Sequence, residues 1–116
     1  TARDLQTECK KSGLPWEIAK GFDNSAPLSN QWLKISDFPN GILFSLNKNN
    51  ETVQSGDSNQ MIFSLDKIIS YLSKFITLKK GDIIFTGTPA GVGEVNIGDT
   101  LAAFVGEQNV LKINIK

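Results

Sequence analysis

The chain has 116 residues, 40% of them hydrophobic and 21% charged, and its 12 Lys+Arg balance 12 Asp+Glu to a net charge of zero. That length suits one domain with one core, and the charge balance gives no footprint for nucleic acid or an anionic membrane. No apolar run approaches the roughly 20 residues that span a bilayer. With no histidine and a single cysteine, Cys9, the chain can build neither a Ser-His-Asp or Cys-His catalytic set nor an internal disulfide or cysteine-clustered zinc site. Catalysis here must use Lys, Arg, carboxylates, hydroxyls, backbone groups or a hard, oxygen-bound metal. A lone cysteine and no signal peptide fit a reducing, cytoplasmic location. Asn50-Glu51-Thr52 matches a glycosylation sequon, a pattern short enough to recur by chance.

"TARDLQTECKKS", residues 1–12, reads as a helix. Ala2, Leu5 and Cys9 share one face, and Arg3, Gln6 and Lys10 line a neighbouring one. Gly13 is its stop signal, with Pro15 just beyond. Residues 14–31 carry Pro15, Gly21 and Pro27 among Ser and Asn, so a long ordered loop is expected, with "WEIAKGF" as a short extended piece. Ile42, Phe44 and Leu46 alternate as a strand. With "NKNN" as a four-residue turn and Glu51 to Gln54 as the return, they predict a hairpin. "SGDSNQ" follows as a polar loop.

Ser64 to Ile76 is the clearest helix. Ser64 is placed to cap it, and Asp66 sits favourably in its first turn. Leu65, Ile68, Ile69, Leu72, Phe75 and Ile76 form one apolar stripe, read as facing the core. "KKGDIIFTGTP" and "NIGDTLAAFV" each show Gly-Asp feeding an apolar strand. Val110 to Lys116 alternates as a half-buried last strand, with Leu111, Ile113 and Ile115 on one side. Two helices and five or six strands in short antiparallel connections make an α+β fold dominated by sheet. No linker divides it.

Three groups have the chemistry to bind a ligand. "IIFTGTPAGVG", from Ile83, fails as a Walker A loop because no Gly-Lys-Ser/Thr closes it. It also fails as G-x-G-x-x-G, since Asn96 stands at the last position. What remains is bare backbone with the Thr86 and Thr88 hydroxyls: an anion cradle or a plain turn. Lys20, between Ile18-Ala19 and Gly21-Phe22, is an anion anchor or a surface lysine whose stem packs on the core. Arg3 and Gln6, three residues apart, are a carboxylate clamp or an exposed helix face.

Taken together, "TARDLQ", "GLPWEIAKGFD", "SNQMIF" and "GDIIFTGTPAGVG", in this order, closely resemble the C-terminal region of the fumarylacetoacetate hydrolase family, nearest its acylpyruvate hydrolase and oxaloacetate decarboxylase (isomerase/hydrolase) branch. The resemblance spans residues 1–116 and implies the C-terminal portion of a single catalytic domain, a mixed β-sandwich roll with short helices. It implies that Arg3 and Gln6 contact the keto-acid end of a small anionic 2-oxo acid, that Lys20 is catalytic and projects into the site, and that Thr88, supported by the Gly87 amide, binds the substrate carboxylate. The glycines then read as backbone clearance beside that acid.

The resemblance also implies Mg²⁺ or Mn²⁺. The family's ion is held by a Glu-x-Glu pair and an aspartate whose positions would precede Thr1, and the lid's His-Glu pair is expected there too. Asp4, Glu8 and Glu17 do not replace these ligands on the family pattern. The chain opens on Thr1 inside a predicted helix, as a fragment would. What it resembles is the substrate-holding side of the site without the metal side, inactive alone. In the complete enzyme the resemblance implies a metal-stabilised enolate, with C–C cleavage by water attack on acylpyruvates or CO₂ loss from oxaloacetate. The alternatives are an isomerase, dehydratase or lyase acting on another 2-oxo diacid, and a non-catalytic piece. A homodimer is implied as well.

Overall fold

The computed structural model describes all residues Thr1–Lys116. Helix α1, Arg3–Ser12, forms where the first periodic stretch predicts it. Gly13 ends it in the left-handed conformation at φ 65°, with its N–H turned back on the helix carbonyls, a cap that glycine adopts without a Cβ penalty. Helix α2, Glu17–Lys20, is a single turn where the sequence suggested an extended piece. Tertiary contact overrides the local signal: Ala19 is fully buried, and the Ala2 N–H donates to the Ala19 carbonyl at 3.0 Å. Only a tight turn sets that small residue and carbonyl against α1. A short 3-10 turn follows at Ile35–Asp37.

Four antiparallel strands make one sheet: β1 Leu43–Lys48, β2 Glu51–Asp57, β3 Thr100–Val105 and β4 Gln108–Asn114, in spatial order β2-β1-β3-β4. The β1–β2 turn is two residues long, not four. Asn49 and Asn50 both take positive φ, 50° and 70°, the mirror-image turn whose twist matches that of paired strands. Lys48 and Glu51, read as turn and strand start, instead pair across the ladder. The hairpin also runs further than expected, through Ser55-Gly56-Asp57. Gly56 makes room for an aromatic ring, since a Cβ there would lie 2.5 Å from Phe44 Cζ.

Two expectations fail for one reason, the lack of a neighbour. The Ile83–Phe85 run forms no strand, because no chain segment offers it a hydrogen-bonding ladder, so the sheet has four strands rather than five or six. Helix α3, Leu65–Leu72, is capped by Ser64 as expected, its Oγ accepting from the Lys67 N–H. Its apolar stripe, however, does not face a core. Leu65, Ile68 and Leu72 are half-buried, and Ile69, Phe75 and Ile76 are exposed.

Only Gln6, Cys9 and Ala19 are buried in the whole chain. The accessible surface is 9429 Å², against about 6,200 Å² for a folded monomer of this mass. The radius of gyration is 15.8 Å, against about 13 Å for a compact domain of this length. The secondary structure is formed, while much of the apolar surface it presents lacks a covering layer. No helix is long and apolar enough to cross a membrane.

The sheet's far corner is tied by Asp99. Its carboxylate accepts from the Asn96 backbone N–H at 2.8 Å and from Asn49 Nδ2 at 2.6 Å, with Lys48 Nζ 3.3 Å away. These contacts, the Asn96 bond foremost, hold its pKa below the ordinary 3.8. A depressed carboxylate contributes stability that is fully present above that ordinary value and is lost as pH falls through the lowered one. Asp99→Asn should therefore lower stability at pH 7 and flatten its fall in acid, which urea midpoints of the full-length protein across pH 2–7 will show. Equal acid slopes in both proteins would contradict this.

Candidate functional site

The first group of site residues sits where α1 meets α2. Arg3 opens α1, and its Nη1 donates to Gln6 Oε1 at 3.3 Å, one turn on. Gln6 is itself buried, on the side of α1 that carries Cys9, so this amide is a fixed fixture and not part of an exposed face. Lys20 ends α2, and its Nζ donates to Thr1 Oγ1 at 3.0 Å. The Ala2–Ala19 backbone bond sets the two helix ends side by side. Lys20 is exposed and borders a groove of about 460 Å³ lined by Leu14, Pro15, Trp16 and Glu17. Lys10 Nζ lies 5.0 Å from the Trp16 ring centroid and steadies that wall through a cation–π contact.

Lys48–Asp99 is the chain's one salt bridge. Arg3 stands one turn from the buried Gln6 amide, and neither Arg3 nor Lys20 is paired with a carboxylate. Two uncompensated cations at this corner suit a carboxylate-bearing ligand.

The second group sits on the loop after Asp82. Gly87 and Thr88 line a cavity of about 600 Å³ together with Phe44, Ser58, Met61, Phe63, Leu65 and Thr86, among others. This wall is largely apolar, with the hydroxyl-bearing Ser58, Thr86 and Thr88 among its lining residues, the usual make-up of a small-molecule site. Gly87 has φ 105° with open space where a Cβ would stand, so it serves backbone conformation. Gly91 serves close approach: a Cβ there would lie 2.0 Å from the Val53 carbonyl oxygen, at φ 94°. The clearance at Gly91 is thus taken by β2, not by a ligand. Gly91→Ala forces both a steric clash and a left-handed alanine, so the loop must shift. A loss on the order of 2 kcal/mol or more is expected, read from urea midpoints of the full-length protein. Unchanged values would show that the loop does not depend on β2.

The structure pairs Arg3 with Gln6 and sets Lys20 at the adjoining helix end, and separately it brings Gly87 and Thr88 to one cavity. It does not join the two groups: no hydrogen bond links them, and Lys20 borders one cavity while Gly87 and Thr88 border another. One neighbour of Thr88 escaped the sequence reading. Gln54, on β2, donates to Thr88 Oγ1 at 2.9 Å. The two residues are far apart in sequence, and no local pattern signals such a pair. The carboxylates do not fit a divalent ion, because no three Asp, Glu or Cys side chains come together as a ligand set.

The antiparallel sheet with few short helices matches the fold of one protein family. The model of the fumarylacetoacetate hydrolase C-terminal domain matches residues 1–116, and the chain belongs to that family. It is 49% identical over 118 residues to the mitochondrial oxaloacetate tautomerase of Bos taurus, covering 100% of this chain and 52% of that protein. It is 47% identical over 104 residues to the oxaloacetate tautomerase of Escherichia coli, covering 87% of this chain and 47% of that one. Among solved structures, fumarylpyruvate hydrolase from Pseudomonas aeruginosa, in complex with Mn²⁺ and pyruvate, aligns with a TM-score of 0.88 and 38% identity over 97% of this chain and 49% of its own. A yeast fumarylacetoacetate hydrolase family protein aligns with a TM-score of 0.83 and 38% identity, over 100% of this chain and 52% of its own. The chain spans about half the length of the curated relatives it matches.

Proposed function

We propose that these 116 residues are the substrate-holding half of a longer enzyme acting on small 2-oxo acids, with oxaloacetate or an acylpyruvate as substrate. The observation that carries this reading is the α1–α2 corner, where Arg3 bonds buried Gln6, Lys20 ends the adjoining helix, and neither cation has a carboxylate partner. The names of the relatives supply the substrate class. Arg3 and Gln6 hold the keto-acid end, and Lys20 places positive charge where an enolate develops. Charge fixed in advance at the point where it is needed is the largest single lever in such chemistry. Thr88 and the Gly87 amide hold a carboxylate. The two groups thus take different parts of one diacid, brought to a single site when the rest of the enzyme closes over the exposed faces. The longer enzyme is a homodimer, and part of the uncovered apolar surface faces the second copy.

Keto–enol tautomerisation and C–C cleavage share the enolate, so these residues serve either reaction. Oxaloacetate tautomerisation is favoured among them, because two relatives at 47–49% identity carry that name. The test is to give the full-length enzyme oxaloacetate, fumarylpyruvate and acetylpyruvate with Mn²⁺ present, following enol absorbance, cleavage products and CO₂. Turnover of at least one of them, lost in Arg3→Ala, is expected. No turnover of any, or full turnover in Arg3→Ala, would overturn the reading.

A further inference from the structure

We infer that Gln54 is a positioning residue that turns the Thr88 hydroxyl into a committed hydrogen-bond donor; this rests on the proposed role of Thr88 as carboxylate ligand. Gln54 Nε2 faces three oxygens: Thr88 Oγ1 at 2.9 Å, the Pro89 carbonyl at 3.1 Å and the Ala90 carbonyl at 3.3 Å. Carbonyl oxygens only accept, so the amide must present its nitrogen here. The flipped amide would set Oε1 against two carbonyl oxygens. Thr88 Oγ1 is therefore an acceptor towards Gln54, and its single proton is free to point away, into the cavity that Thr88 lines. An ionised carboxylate is acceptor-only. A hydroxyl whose proton is already directed outward loses less orientational freedom in binding it.

The surroundings hold Gln54 in this role. Its strand pairs with β1, placing Gln54 opposite Leu46 next to a bulge that leaves Val53 unpaired. The loop lies tight on β2 because Gly91 admits the Val53 carbonyl. Gly91 thus holds the loop on β2, and the contacts to Pro89 and Ala90 fix the Gln54 amide so that its donor meets the Thr88 hydroxyl. Gln54 does not touch the substrate in this account; it acts through Thr88.

The test uses the full-length enzyme with oxaloacetate as substrate and pyruvate as competing probe, with thermal midpoints confirming that each variant is folded. Thr88→Val should raise KM and the pyruvate inhibition constant. Gln54→Leu should raise both by about tenfold or more, as expected when a hydrogen-bonded group loses its partner, with kcat nearly unchanged. The double variant should be no worse than Thr88→Val alone. Gln54→Glu keeps the shape and gives a second readout. Its carboxylate repels the three acceptors, which raises its pKa, and when protonated it can donate again. Its KM relative to wild type should therefore fall as pH is lowered. Should Thr88→Val raise KM while Gln54→Leu stays at wild type, or the two losses simply add, the inference fails and the site reading stands. Should Thr88→Val change nothing, the site reading fails and this inference with it.

Discussion

Lys20→Ala in the full-length enzyme is expected to lower kcat for oxaloacetate by about 10²- to 10³-fold, the usual loss when one preorganised electrostatic group is removed. The fold should be untouched. Lys20 is exposed at the end of a one-turn helix, and its one hydrogen bond is to Thr1 Oγ1. Removing it leaves no buried group unpaired, and such surface changes stay within about 0.5 kcal/mol. Ala19 holds α2 on α1 through its own burial and backbone carbonyl, so the corner survives without the lysine. The loss should therefore appear in turnover with the thermal midpoint unmoved. Lys20→Arg should not restore activity fully, because a planar guanidinium cannot put a point charge where an ammonium stood. A Lys20→Ala enzyme with near-normal kcat would remove lysine from the mechanism.

The second large effect concerns the chain by itself. Residues 1–116 prepared alone should not unfold cooperatively. The structure exposes roughly 3,200 Å² more than a monomer of 12.7 kDa should, as judged by surface scaling. At about 25 cal/mol per Å² of apolar surface, leaving even half of that area wet forfeits more than the 5–15 kcal/mol that separates folded from unfolded domains. The hairpins and α1 retain their local signals, so the expected product is a compact, fluctuating state. It should show helical and sheet circular dichroism, bind ANS and melt broadly. A sharp thermal transition without ANS binding would mean that the exposed faces need no cover.

Much of the fold is legible in the sequence because its signals are local. Gly13 stops α1 through a conformation that glycine alone reaches cheaply, Ser64 caps α3 through its own hydroxyl, and alternation marks β1 and β4. The failures fall where the deciding neighbour is distant in sequence or is not found among these 116 residues. Ile83–Phe85 has strand composition and no strand to pair with, and the α3 stripe has core spacing and no core. Helix α2 folds as a turn because Ala19 meets α1, which nothing in "WEIAKGF" announces. The site divides in the same way. Arg3 and Gln6 are readable as a pair because one helical turn joins them, while Gln54 and Thr88 are joined only by the folded loop. The motif resemblance carried the choice of Lys20, whose local sequence equally fits a surface lysine.

The most direct test of the proposed site is a crystal structure of the full-length protein with pyruvate. The expected result is a carboxylate that accepts from Thr88 Oγ1 and the Gly87 amide, with Arg3, Gln6 and Lys20 turned towards the 2-oxo group in one closed site. Pyruvate bound away from all five residues, or the α1–α2 corner and the Thr88 loop remaining in separate cavities, would contradict it.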